Sequence, residues 1–164
     1  MSFEQANIFE ACRSGNIELV EKIYTEAPES INTVDAKGYT PLILAVYNYQ
    51  PGIVNFLIAK GAELDAADMA GNTALMGVCF KGYKDLAEKL IDAGADVNRR
   101  NVNGATALTF VATFGHFKIA EKLLKMGADT NVPDVRGKTP LDHARIQENW
   151  PMYDLIAGYA ANAG

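Results

Sequence analysis

The two cysteines and two histidines of this protein are its most typical candidates for a thiol nucleophile or a zinc ligand: Cys12, Cys79, His116 and His143. A catalytic cysteine needs a histidine base beside it, and a zinc site needs several such ligands in closely spaced pairs. Here the cysteines are far apart in the sequence, and so are the histidines. The motifs of phosphate-binding loops, dinucleotide sites, zinc proteases and serine hydrolases are absent. We therefore expect no catalytic residue, no metal and no cofactor, and we expect that the protein is not an enzyme.

The composition narrows the class of protein further. Of the 164 residues, 49% are apolar and 21% are charged, which is typical of a globular protein and predicts one domain over residues 1–164. The net charge of −5 argues against a nucleic-acid partner, which requires cations to neutralise phosphates. The densest apolar run, residues 41–46, is too short to span a membrane, and the first residues lack the pattern of a secretory signal. We expect a cytoplasmic protein without membrane contact.

The positions of the glycines indicate a period of 33 residues. Ten of the 14 glycines fall into three series whose neighbouring members are 33 residues apart. The one exception is the interval of 67 residues between Gly15 and Gly82. The series are Gly38, Gly71, Gly104 and Gly137; Gly61, Gly94 and Gly127; and Gly15, Gly82 and Gly115. Such a period is the signature of a protein built from stacked repeats.

Other residue types recur in the same phase. Each glycine of the first series follows an Asp or Asn by three residues and precedes a Thr by two and a Leu by four. The threonines are Thr40, Thr73, Thr106 and Thr139. The resulting unit, Asp-x-x-Gly-x-Thr-Pro-Leu, resembles the ankyrin repeat. This resemblance implies an all-α solenoid of helix-turn-helix units, in which paired antiparallel helices are joined by projecting hairpin loops.

The phase predicts five units, and the first and last are expected to act as caps. Their approximate bounds are residues 1–34, 35–67, 68–100, 101–133 and 134–164. Thr40 and Thr139 suit helix N-caps, with Pro41 and Pro140 at the first helical position. End units need a polar outer face. The candidates for that face are Glu4, Gln5, Asn7, Arg145, Gln147, Glu148 and Asn149.

Four features depart from the ankyrin pattern. Ala74 and Ala107 replace the motif proline, a mild change because Ala is a good helix former. The histidine expected after the motif leucine is replaced, so other side chains are expected to tie these turns. The replacements are Ile43, Met76, Thr109 and Asp142. Gly77 lies inside a predicted helix, where we expect close packing against a neighbour; the approach of a ligand is the alternative. Tyr49 stands where neighbouring units have glycine, which predicts a bend unlike the others.

The repeat also gives an interpretation of the cysteines. Cys12 and Cys79 occupy matching positions two units apart, roughly twice the ~8–10 Å spacing of packed helices. That separation exceeds the ~7 Å limit between the Cα atoms of a disulfide. We expect two buried thiols in a reducing compartment.

Ankyrin proteins generally bind partners through their hairpin tips and the exposed side of the first helix of each unit, which line a concave groove. Carried onto this chain, those positions include Lys37, Tyr39, Tyr47, Met69, Asn72, Phe80, Lys81, Asn103, Thr113, Phe114, Arg136 and Lys138. Four of these residues are basic, four are aromatic and none is a carboxylate. Aromatic residues and Arg are enriched at interface hot spots.

These residues favour a monomeric interaction module whose partner is a protein or peptide with acidic and apolar side chains. The alternative is an accessory subunit or inhibitor that regulates an enzyme by occlusion. A structural role competes with the binding role, because Tyr47, Phe80 and Phe114 could be partly buried between units. The carboxylates of Asp35, Asp68 and Asp134, near the hairpins, could also offset the positive charge.

Overall fold

Ten α-helices in five consecutive pairs form most of residues 7–163, the part of the chain that the computed structural model describes. The first helices of the pairs are α1 (Ile8–Ser14), α3 (Pro41–Tyr47), α5 (Ala74–Lys81), α7 (Ala107–Phe114) and α9 (Pro140–Ile146). The second helices are α2 (Ile17–Glu26), α4 (Pro51–Ala59), α6 (Lys84–Asp92), α8 (Phe117–Lys125) and α10 (Trp150–Asn162). A short 3-10 helix, Pro28–Asn32, follows α2. The expected cap residues Glu4 and Gln5 lie outside the described residues.

The recurring threonines start the first helices. Each of the four threonine hydroxyls accepts a hydrogen bond from the backbone N–H three residues later, at distances from 3.1 Å in the second unit to 3.4 Å in the fourth. This bond satisfies one of the N–H groups that a helix start leaves without a partner. Pro41 and Pro140 occupy the first helical position. The N-cap prediction for Thr40 and Thr139 is confirmed.

Other side chains take the place of the missing motif histidine, as the sequence predicted, in two of the units. The hydroxyl of Thr109 accepts the N–H of Thr106 at 3.0 Å, and the carboxylate of Asp142 accepts the N–H of Thr139 at 2.9 Å. Each pair is a reciprocal capping box. Ile43 and Met76 are apolar and buried, so their units have only the threonine cap.

The helices form two layers. Each first helix packs on the first helices of the neighbouring pairs, and the second helices pack on one another in the same order. Helix α3 therefore has neighbours on several sides, and all of its residues from Pro41 to Val46 are buried. In α6 only the face with Leu86, Ala87, Leu90 and Ile91 is buried. No helix in the described range is long and apolar enough to cross a membrane.

A side-chain hydrogen bond joins each of the first three units to the next along the second layer. The side-chain oxygens of Asn32, Asp65 and Asn98 each accept the backbone N–H of a residue 31 positions later, at 2.8–2.9 Å. Since the donors lie in the following unit, these bonds fix the register between units. This contact explains the Asn or Asp at the ends of the first three units.

The bend at Tyr49 differs from the glycine bends in one backbone hydrogen bond, as the sequence predicted. The Tyr49 N–H donates to the Val46 carbonyl, three residues back, at 3.2 Å, whereas the Gly82 N–H donates to the Val78 carbonyl, four residues back, at 2.7 Å. Tyr49 has a φ of 49°, in the left-handed region occupied by Gly82 with a φ of 80°. After each residue the next N–H bonds back to the helix: Gln50 to the Ala45 carbonyl, and Tyr83 to the Val78 carbonyl. The tyrosine side chain, and the strain that a non-glycine residue carries at this φ, are two further differences.

Substitution of two glycines separates conformational strain from steric contact. Gly61 and Gly71 have φ angles of 80° and 78°. A Cβ at Gly61 would meet nothing within 4 Å, whereas one at Gly71 would lie 2.9 Å from the backbone nitrogen of Val102. We expect Gly61→Ala to lower the free energy of unfolding by about 1–2 kcal/mol through strain alone. Gly71→Ala should lower it by more, because the next hairpin must move. Urea denaturation measures both, and equal losses would contradict the contact argument.

Candidate partner-binding surface

Each hairpin tip is tied by one polar side chain. In Asp35, Asp68, Asn101 and Asp134, the Oδ1 atom accepts the backbone N–H groups two and four residues later at 2.9–3.0 Å. This arrangement is an Asx turn, and the glycine three residues on completes it with a positive φ. The turns project residues such as Lys37, Met69 and Arg136, whose side chains are exposed.

The four tips form one continuous row. Backbone N–H groups of Met69, Val102 and Val135 donate to carbonyl oxygens of the preceding tip at 3.3, 3.0 and 2.9 Å. A side-chain bond adds to the row, because the Nδ2 of Asn101 donates to the Oδ1 of Asn72 at 2.9 Å. The tips are therefore held relative to one another and can present their side chains as a single surface.

The aromatic residues of the predicted surface come from the hairpins and from the first helices, with Phe80 and Phe114 near the C-terminal ends of α5 and α7. The Phe80 and Phe114 ring centroids are 5.0 Å apart in an edge-to-face arrangement, and these side chains are 44% and 49% exposed. The rings of Tyr39 and Tyr47 are 6.5 Å apart and both half-buried. Burial raises the pKa of Tyr47, and the negative charge of Asp68 adds to this effect. Partial burial between units, the alternative to a binding role, therefore applies to Tyr47, whereas Phe80 and Phe114 are exposed to solvent.

Gly77 allows the half-buried position of Tyr47. A Cβ at Gly77 would lie 3.1 Å from the Cε2 atom of the Tyr47 ring, closer than most contacts of this kind. The tyrosine of one unit therefore packs against the bare backbone of the next. The prediction that Gly77 permits close packing is confirmed.

Among the described residues, the basic side chains of this surface have no ion-pair partner, whereas two of the nearby carboxylates do. Lys37, Lys81, Arg136 and Lys138 are exposed, and none of them takes part in an ion pair within residues 7–163. Two of the nearby carboxylates already have partners: Asp35 pairs with Arg13 at 3.0 Å, and Asp134 contacts the Nε2 of His143 at 2.7 Å. The sequence led us to expect that the hairpin carboxylates offset the positive charge of this surface. Because Asp35 and Asp134 already have partners, that effect is smaller.

Two of the predicted surface residues direct their polar groups inward. The Oδ1 of Asn72 is the acceptor for Asn101, and the hydroxyl of Thr113 donates to the Thr109 carbonyl at 2.8 Å. Both side chains are half-buried. The eight exposed members of the predicted set are Lys37, Met69, Phe80, Lys81, Asn103, Phe114, Arg136 and Lys138.

Comparison with known families agrees with this architecture. The family model for ankyrin repeats, which describes three copies, matches residues 8–101 and again residues 78–162. The chain belongs to the ankyrin-repeat family. Both the resemblance seen in the motifs and the predicted all-α solenoid are confirmed. Ankyrin repeats are generally protein–protein interaction modules and generally non-catalytic.

Curated relatives share the repeat over part of this chain. Ankyrin repeat and SAM domain-containing protein 6 of Rattus norvegicus is 39% identical over 62 residues, which are 38% of this chain and 7% of that protein. Protein phosphatase 1 regulatory subunit 27 of Mus musculus is 39% identical over 67 residues, or 41% of this chain and 43% of that protein. BTB/POZ domain-containing protein 3 of Schizosaccharomyces pombe is 37% identical over 59 residues, or 36% and 11%. The matches span less than half the length of each of these relatives.

A second feature lies at the bends between the paired helices, at the other end of the first helices from the hairpins. The hydroxyl of Tyr49 donates to the Asp85 carboxylate at 2.7 Å, and the rings of Tyr49 and Tyr83 are 4.7 Å apart. The bond to Asp85 raises the pKa of Tyr49. A depression of about 560 Å³, the bend notch, is lined by Tyr49, Gly82, Tyr83, Lys84, Asp85 and Glu88. The predicted surface did not include it, although Tyr49 at a glycine position was its signal.

The four reactive side chains considered first have structural surroundings in this ankyrin domain. Cys12 and Cys79 are buried free thiols, as expected, and burial raises the pKa of Cys12 to about 12. The Nε2 of His116 lies 3.2 Å from the Phe80 carbonyl, and His143 contacts Asp134. Within residues 7–163, no group of three or more His, Cys, Asp or Glu side chains is placed to hold a metal ion.

Asp134 gives the surface a dependence on pH. Burial disfavours its charge, but hydrogen bonds from Lys138, His143 and Arg136 outweigh this effect and hold its pKa below the usual value. A lowered pKa contributes stability above the unfolded-state value of about 3.9, and that stability is lost as the pH falls through the folded-state pKa. We expect Asp134→Ala to lower the free energy of unfolding by about 1–3 kcal/mol at pH 7, and by progressively less below about pH 4.

Asn101 is the matched control, because its Oδ1 makes the same two bonds but its amide does not titrate. The loss caused by Asn101→Ala should not fade between pH 7 and pH 3. Urea denaturation across this range measures both variants. A constant loss for Asp134→Ala would show that its charge is not what stabilises the last hairpin.

Proposed function

We propose that this protein binds a partner protein or peptide with acidic and apolar side chains through the row of hairpin tips and the adjacent first helices, which together line a concave groove. The observation that carries the proposal is the exposed Phe80–Phe114 pair. All twelve residues predicted from the sequence belong to the proposed surface. Asn72, Thr113 and Tyr47 contribute mainly by holding its shape, since they are half-buried.

The phenylalanine pair supports an interaction because burial of its exposed apolar surface against a partner would be favourable. Each ring keeps nearly half of its surface exposed, although the two make an edge-to-face contact with each other. Exposed apolar patches rimmed by polar residues are typical of interaction sites. Large aromatic side chains at the centre of an interface contribute more to binding than their share of the area. We infer that Phe80 and Phe114 form the centre of the contact.

The cations support an acidic partner. Lys37, Lys81, Arg136 and Lys138 have no ion-pair partner in residues 7–163, so a partner carboxylate does not have to displace one. The protein as a whole carries a net charge of −5, which repels acidic molecules elsewhere on its surface. Complementary charges mainly set the orientation and the rate of association.

We further propose a non-catalytic, monomeric protein whose five units act as one domain in the cytoplasm. The continuous packing of both helix layers supports a single cooperative body. The buried thiols of Cys12 and Cys79 support a reducing compartment.

Removal of the aromatic pair tests the site. The double variant Phe80→Ala/Phe114→Ala should lower affinity for the partner about 30-fold or more, the effect expected when a hot spot worth ~2 kcal/mol is lost. Met126 and Trp150 are similarly exposed, at 51% and 52%, but lie at the ends of second helices. Met126→Ala/Trp150→Ala should leave binding unchanged. The partner is captured from native lysate by immobilised wild type and variants, and its dissociation constant is then measured by calorimetry.

Two outcomes would refute the proposed site. One is a folded aromatic double variant with full affinity; adding Tyr47→Ala to this variant extends the test to the whole aromatic set. The other is an equal loss of affinity in the Met126→Ala/Trp150→Ala control. For the charges, Arg136→Glu/Lys138→Glu should weaken binding most at low salt, since screening removes the repulsion at high salt.

A second candidate function is regulation of an enzyme by occlusion. It is favoured by the similarity to a protein named as a regulatory subunit of protein phosphatase 1. If the captured partner is an enzyme, titration with the wild-type protein should lower its turnover, and the aromatic double variant should not. Unchanged turnover at saturation would favour passive binding instead.

A further inference from the structure

The bend notch lies at a bend that, among the described residues, lacks a side-chain contact seen at two others. At two other bends, the residue after the left-handed position reaches back to the preceding unit. The Nε2 of Gln50 donates to the Arg13 carbonyl at 3.1 Å, and the Nε2 of His116 lies 3.2 Å from the Phe80 carbonyl. Tyr83 occupies the equivalent position in the third unit, and no described side chain donates to the corresponding carbonyl of Tyr47. The Tyr83 ring instead packs beside the Tyr49 ring.

Tyr49 is held in a conformation that a glycine would adopt without strain. The matching bends have glycine φ angles of 82°, 80° and 79° at Gly15, Gly82 and Gly115, and Tyr49 has a φ of 49°; Glu148, at the bend of the fifth unit, is the other described non-glycine residue with such a φ, at 54°. A bulky residue with this φ is strained, and such strain is concentrated at functional sites. The bond to Asp85 fixes the ring at the protein surface, where Tyr49 is 44% exposed. The sequence therefore keeps an exposed aromatic side chain where the fold alone would favour glycine.

The charge of the notch is negative. Glu88 pairs with Lys84 at 3.0 Å, so these two charges offset each other. Asp85 accepts the Tyr49 hydroxyl but has no ion pair with a cation in residues 7–163. The notch thus combines two aromatic rings with one carboxylate that lacks a cationic partner.

We propose that the bend notch binds an arginine side chain of a partner protein. A guanidinium group is planar, so it can stack on a tyrosine ring while its N–H groups donate to the Asp85 carboxylate. Lysine offers the charge but lacks the planar fork, which makes it the weaker occupant. The notch lies at the opposite end of the first helices from the hairpin tips. Phe80 is only two residues before Gly82, but neither Phe80 nor Phe114 lines the notch, so the two sites use different side chains.

Titration of the protein, residues 1–164, with a capped Gly-Arg-Gly tripeptide, followed by NMR, tests the site. The control peptide contains citrulline, which has nearly the same shape as arginine but no charge. A single side chain in such a site gives a dissociation constant of about 1 mM, so the titration extends to about 20 mM. We expect saturable shifts at the amides of Tyr49, Gly82, Tyr83 and Asp85 with arginine, weaker binding with a lysine tripeptide, and none with citrulline.

Matched variants identify the contacts. Asp85→Asn should weaken arginine binding about fivefold or more, whereas Asp154→Asn, which removes an equally exposed charge from α10, should not. Tyr49→Gly should also weaken binding while preserving the rest of the spectrum, because glycine suits the left-handed bend. The Phe80→Ala/Phe114→Ala variant should bind the peptide like wild type, so failure of one proposal leaves the other standing.

Three results would overturn the assignment. The first is the absence of saturable shifts at the notch with the arginine tripeptide. The second is an equal response to arginine and citrulline, which would indicate no role for the charge. The third is an equal loss of affinity in Asp85→Asn and Asp154→Asn, which would indicate attraction to the acidic protein as a whole.

Discussion

The apolar surface of each helix pair extends over more than one side, and only the neighbouring pairs can remove it from water. Helix α3 shows this most directly, since every residue from Pro41 to Val46 is buried between its neighbours. Because burial comes mainly from packing between units, the units must keep a constant spacing and orientation. The bonds from Asn32, Asp65 and Asn98 into the following unit set that spacing along the second layer. The hairpin tips, linked through backbone hydrogen bonds, set it along the other side.

Because the spacing between units is fixed by other residues, the amino acids at the hairpin tips and at the ends of the first helices can vary. The backbone of each hairpin is held by one Asp or Asn side chain, so the residues between need not contribute to folding. Lys37, Met69 and Asn103 can therefore differ in size and charge on the same frame. The same separation applies at the bends, where a tyrosine replaces glycine while φ stays in the left-handed region.

The repeat, its helix starts and its buried faces could be predicted from the sequence, because they depend on residues whose effects are local or recur in every unit. Thr40 caps the helix that begins beside it. The inward orientation of Asn72 and Thr113 could not be predicted, since it depends on which acceptor or donor the folded chain brings close. For the same reason, Tyr49 could be recognised as unusual, but its bond to Asp85 could not. That bond joins residues from two different units, and its formation requires their relative placement.

The regular contacts between units join residues at a constant separation of 31 positions, so each depends only on the unit and its successor. Duplication or loss of a whole 33-residue segment would recreate the same donors opposite the same acceptors, and the chain can therefore change its length by whole units at little cost in foldability. The contact between Tyr49 and Asp85 is different, because it joins two side chains that occur together at a single junction. An insertion there would separate them. This junction is thus the place where an otherwise interchangeable series of units acquires a fixed order.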